Sequence, residues 1–163
     1  MRPDMKNIPR LVVAPAVVLM LAGCVQEQVG TVGLTRSQDG GINIPVAWCG
    51  RAPHSMTVTI LVHESWERVA KFDTTRTGSG SVTLDLNSPS PDWKLIWGDP
   101  RLRPGVTYYV EAYPDSGKDA IVGQLRFTLN DAATLRPGEV YVGDKDDTYT
   151  WNEFLESASQ MCG

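Results

Sequence analysis

Apolar side chains recur at every second position in five separate runs of this 163-residue chain. Ile42, Ile44, Val46 and Trp48 alternate with Asn43, Pro45, Ala47 and Cys49. Met56, Val58, Ile60 and Val62 alternate with Thr57, Thr59, Leu61 and His63. Shorter runs repeat the pattern: Val82, Leu84 and Leu86; Tyr108, Val110 and Ala112; Leu125, Phe127 and Leu129. A strand turns successive side chains to opposite faces, so period two means one buried face and one wet face. Residues 31–36 and 68–72 read as two more strands, and Gly, Pro, Asp and Ser punctuate the intervals. About seven short strands with turns between them predict an all-β chain folded as a β-sandwich.

Two stretches sharpen the class. Val46-Ala47-Trp48 is followed by Pro53, and Leu102-Arg103-Pro104-Gly105-Val106-Thr107-Tyr108-Tyr109-Val110 runs a Pro-Gly turn into a strand. Together they resemble the fibronectin type III family, over residues 30–130. The resemblance implies an immunoglobulin-like sandwich with Trp48 pointing inward and Tyr108 at a tyrosine corner. There the ring fills the end of the core while its hydroxyl satisfies a group of the turn. Such a fold implies no chemistry of its own.

Ahead of the strands, Arg2, Lys6 and Arg10 precede an apolar run over residues 11–22. That run is about a dozen residues, where a membrane-spanning helix needs about 20. A basic start, a short apolar core and a small-residue end read as a secretory signal at 1–23. Its close, Leu21-Ala22-Gly23-Cys24, resembles the lipobox of bacterial lipoproteins. The resemblance implies that Cys24 is lipidated and becomes the first mature residue. The expected location is the extracytoplasmic face of the cell membrane, with the membrane as first partner. Two acyl chains make a stable anchor, at about 0.8 kcal/mol per buried CH₂. Residues 24–29 form a short tether that reaches less than roughly 20 Å.

The leader takes three of the 15 basic residues and one of the 19 acidic ones, leaving 12 against 18 and a net charge of −6. The remaining 140 of the 163 residues suit one domain with a real core. Nucleic acid demands a basic face, so an acidic domain makes it a poor partner. Taken whole, the domain also gains nothing electrostatically from anionic lipid.

With Cys24 assigned to the lipid, Cys49 and Cys162 remain as an even pair in an exported, oxidising setting. A disulfide between them is expected; the alternative is two buried free thiols. Such a bridge closes a loop of more than a hundred residues, worth about 4.7 kcal/mol on chain-entropy arithmetic. Residues 131–163 extend beyond the sandwich. Leu135-Arg136-Pro137-Gly138 reuses the earlier turn chemistry, and residues 139–142 read as a strand. Thr150 and Glu153 form a capping box, followed by Trp151, Phe154, Leu155 and Ala158 at helical spacing. A short C-terminal helix is expected over residues 151–160. Cys49 shares the outward register with Asn43 and Ala47, so the helix must cover part of the outer sheet surface to bring Cys162 to it.

Candidate sites are few. The connection over residues 87–105 is long for a sandwich and holds Trp93, Leu95, Ile96 and Trp97 amid four prolines. Trp93 and Trp97 are the candidate binding residues, as an aromatic platform for a glycan, peptide or lipid-linked ligand. The competing reading is a hydrophobic plug closing the end of the sandwich. Asp144, Asp146 and Asp147 suggest calcium, but Tyr149 stands where an EF-hand needs its Gly and Leu155 where it needs its Glu. A solvated acidic loop accounts for them better. His54 and His63, the only histidines, have no metal-ligand spacing. No nucleophile elbow exists, and Gly78-Ser79-Gly80 is a turn without the helix of a phosphate loop. The residues therefore nominate no catalytic group, metal or cofactor. The expected function is a non-enzymatic binding or accessory module at the cell envelope, contacting an envelope protein or polymer. An envelope hydrolase or hydrolase inhibitor, and a purely structural lipoprotein, are the alternatives.

Overall fold

The computed structural model describes residues 26–88, 90–114, 119–143 and 147–161. The chain begins with β1 (Glu27–Gln28), β2 (Gly30–Val32), β3 (Leu34–Arg36) and β4 (Ile42–Trp48). A long hairpin follows, β5 (Pro53–Val62) and β6 (Ser65–Asp73), then β7 (Gly80–Asp85) and β8 (Lys94–Gly98). Next come β9 (Tyr108–Pro114), β10 (Ala120–Ile121) and β11 (Gly123–Phe127). The last part is α1 (Leu129–Thr134), β12 (Glu139–Val142), β13 (Asp147–Thr150) and α2 (Trp151–Ser159).

The alternating runs build two antiparallel sheets of an immunoglobulin-like β-sandwich. One has the order β11-β9-β5-β6-β8. In the other, β2 and β3 follow one another along one edge of β4, β7 pairs the opposite edge, and the β12–β13 hairpin extends the sheet beyond β3. The apolar positions face each other as their period requires: Ile44, Val46 and Trp48 from β4 share one core with Met56, Val58, Phe72, Val110 and Leu125. Each fully buried side chain of this kind contributes about 1.5–3 kcal/mol.

The break between β2 and β3 has a local cause. The register sets Gly33 opposite Pro45. The Gly33 N–H donates to the Pro45 carbonyl at 2.9 Å, but Pro45 has no N–H to return. The same glycine lets the C-terminal helix close in. A Cβ there would overlap Val140 Cγ1 and lie 3.1 Å from Phe154 Cε2.

α2 starts at the capping box read from the sequence: Thr150 Oγ1 accepts from the Glu153 N–H at 3.3 Å, and Glu153 Oε2 accepts from the Thr150 N–H at 2.7 Å. Phe154 and Ala158 pack on Ala47, Val140 and Val142 in a second, smaller core. The helix thus lies on the outer face of the six-stranded sheet, over the outward register that Cys49 continues.

Several elements depart from the sequence expectation. Residues 27–28 of the expected tether form β1, which pairs in parallel with β10, because the backbone there bonds to residues 119–121. Leu129 opens α1 rather than ending a strand, because Thr128 and Asp131 form a second capping box. Residues 94–98 of the long connection form a strand that pairs with β6. β13 completes a hairpin with β12.

Candidate binding face on the five-stranded sheet

The wet side of the five-stranded sheet gathers polar and aromatic side chains that are far apart in sequence. Pairing sets Glu111 of β9 beside Thr57 of β5, Thr57 beside Lys71 of β6, and Lys71 beside Trp97 of β8. The next row carries Tyr113, Ser55 and Asp73. Arg68, on the other side, is opposite Thr59 across a bulge in β6. These rows enclose a groove of about 580 Å³, lined by Arg68, Lys71, Trp97, Glu111, Tyr113 and Gln26, with His54, Ser55, Thr57 and Pro114 completing it. That volume is within the range of small-ligand sites.

The electrostatics are mixed. Lys71 Nζ lies 3.2 Å from Asp73 Oδ1, with both side chains about one third exposed. A pair this wet contributes at most about 1 kcal/mol. Among the described residues the Arg68 side chain makes no ion pair or hydrogen bond. Burial, then a hydrogen bond to Glu111 and the charge of that carboxylate, push the Tyr113 phenol well above its ordinary range. Tyr113 is therefore a neutral hydroxyl beside Glu111. Towards the β5–β6 hairpin, Trp66 packs against Tyr109 at 5.4 Å between ring centroids, and the Tyr109 hydroxyl donates to Gln124 Oε1.

The structure separates the two candidate tryptophans. Trp93 is 2% exposed and belongs to the main core, where its indole N–H has no partner among the described residues. It is the plug, and it cannot present itself to a ligand. Trp97 is 42% exposed and lines the groove. The cause is a bulge: Lys71 pairs with Trp97 while the next residue, Phe72, pairs with Leu95, so Ile96 is the extra residue. Strict alternation would put Trp93, Leu95 and Trp97 on one face; the bulge turns Trp97 to the other.

Trp48 points inward and its indole N–H donates to the Gly78 carbonyl. The buried Tyr108 accepts a 2.6 Å hydrogen bond from the Arg103 N–H on its hydroxyl and stacks on Phe127. Cys49 is half-buried just after β4, its N–H donating to the Val29 carbonyl at 3.1 Å. Cys24, Cys162, Asp144 and Asp146 lie outside the described residues, and Asp147 is exposed at the start of β13. The two histidines are at opposite ends of β5, His54 in the groove and His63 at the hairpin tip. Among the described residues no cluster of three or more His, Cys, Asp and Glu side chains could hold a metal ion, and no helix is long and apolar enough to cross a membrane.

Sequence reasoning missed Arg68, Lys71, Glu111 and Tyr113. Each occupies the outward register of a strand, and only the pairing order of β9, β5, β6 and β8 makes them neighbours. No family model matches the chain, and neither a curated protein nor a solved structure matches it.

Proposed function

We propose that this protein is a lipid-anchored lipoprotein of the extracytoplasmic membrane face and acts as a non-enzymatic binding module. The groove on the five-stranded sheet is its binding face. The observation that carries this reading is the convergence of an exposed indole, a neutral phenol and groups of both charges in one cavity beside the chain's entry point. Gln26 lines that cavity, and Cys24 stands two residues earlier, at most about 7 Å along the chain. The basic-apolar leader and its lipobox-like close support lipidation at Cys24. The Glu111 carboxylate beside the neutral Tyr113 phenol supports a recognition surface rather than an activated nucleophile. The fibronectin type III likeness of the Trp48 and Tyr108 segments fits a module of this kind.

The Cys49–Cys162 disulfide belongs to the same proposal. It is supported by the end of α2 at Ser159, three residues before Cys162, on the sheet face whose register Cys49 continues.

Fractionation tests the anchor. The wild-type chain should stay with membranes through an alkaline wash, and Cys24→Ala should move to the soluble fraction. Unchanged partition of the variant overturns the anchor.

A further inference from the structure

The groove has walls of opposite charge. β6 contributes Arg68 and Lys71, and β9 contributes Glu111 and Tyr113. Between them β5 offers the small hydroxyl residues Ser55 and Thr57. Two strand spacings separate the walls, about 10 Å at the backbone. A simple anion entering this cavity meets Glu111, and a simple cation meets Arg68. A ligand that carries both charges a few bonds apart satisfies both walls at once.

The place of the groove says where such a ligand comes from. Gln26 Nε2 donates to the Ala120 carbonyl at 3.1 Å, which fastens the entering chain at the rim. The proposed acyl anchor at Cys24 is then tied two residues from a side chain that lines the cavity. Trp97 stands beside the cationic wall, and an exposed indole suits the bilayer interface.

We infer that the groove receives the zwitterionic headgroup of a phospholipid from the membrane that holds the protein. The phosphate is taken by Arg68 and Lys71, and the ammonium by the Glu111 carboxylate and the face of Tyr113. Lys71 already shares Asp73, so Arg68 is the principal phosphate contact, with a guanidinium suited to two oxygens. A headgroup without net charge also escapes the repulsion that an acidic domain meets at an anionic bilayer. The second contact holds the domain in one orientation on the membrane. The lipid source rests on the anchor proposed above; the charge pattern of the groove does not.

The test titrates the full chain, purified in an uncharged detergent, with glycerophosphoethanolamine and separately with inorganic phosphate and with ethanolamine. Glycerophosphoethanolamine should bind at least about tenfold more tightly than either fragment. Arg68→Ala and Glu111→Gln should each weaken it by about tenfold, the worth of one charged hydrogen bond, with melting curves showing both variants folded. Trp151→Phe, at the surface of α2, should leave it unchanged. In vesicles, Trp97 emission, read against Trp97→Phe, should shift to the blue in phosphatidylethanolamine and not in phosphatidylglycerol. No binding of glycerophosphoethanolamine, equal binding of phosphate alone, indifference to Arg68→Ala and Glu111→Gln, or no such emission difference overturns the inference. So does Trp97-dependent retention on purified envelope glycan with no headgroup binding. The mass of Cys24 in the same preparation reports the anchor separately: an unacylated chain that still takes the headgroup sinks the anchor and the lipid source that rests on it but leaves the zwitterion site standing, and an acylated chain that does not sinks this inference alone.

Discussion

Tyr108 ties a turn to the core with a single atom. Its ring is buried against Phe127, and its hydroxyl accepts the Arg103 N–H at 2.6 Å. Tyr108→Phe keeps the packing and removes the bond, so it should cost about 1 kcal/mol, the net worth of one hydrogen bond. A urea melt indistinguishable from wild type would show that the turn does not depend on that bond. Nearby, Asp99 Oδ1 and Oδ2 take two nitrogens of Arg101 at 2.6–2.9 Å. Those hydrogen bonds hold the Asp99 carboxyl down at about 2. Both side chains are well exposed, so the pair orders a loop more than it stabilises the fold.

At the scale of the element, β8 is the strand the residue pattern concealed. It depends on Gly98, whose φ of +96 favours glycine. A Cβ there would overlap the Val69 carbonyl oxygen and lie 2.7 Å from the Ala70 Cα. Backbone cannot yield as a flexible side chain does. Gly98→Ala should therefore destabilise by about 1–3 kcal/mol and should loosen β8 from β6 first. Amide exchange by mass spectrometry should rise over residues 94–98 before it rises in β5 or β9. Unchanged exchange there would mean the edge tolerates the methyl group. The same loosening would move Trp97 and open one side of the groove. α2 shows the opposite case: its capping box and helical spacing are local signals, and the observed helix ends within one residue of the expectation.

At the scale of the whole molecule, the C-terminal part is continuous with the sandwich. β12 pairs with β3, and α2 buries Phe154 on the sheet that holds Cys49's strand. A Cys49–Cys162 bridge would pin this arrangement by linking the end of β4 to the segment after α2. Non-reducing peptide mapping should find that linked pair, and reduction should lower stability by up to about 4.7 kcal/mol. Two alkylated thiols in the unreduced protein would refute the bridge. Period-two alternation was enough to read the sandwich and its inward faces, because burial of one strand face leaves its mark on every second residue. The Pro-Gly turn before Tyr108 and the Thr150–Glu153 box were legible for the same reason: each works within a few residues. What assembled the groove was not local. Arg68, Trp97 and Glu111 meet only through strand pairing and through one bulge at Ile96, and no spacing in the chain encodes which strands become neighbours. The sheet faces follow from residue order alone; the convergence of charges beside Gln26 was decided by tertiary structure, since contact across strands depends on register rather than on sequence distance.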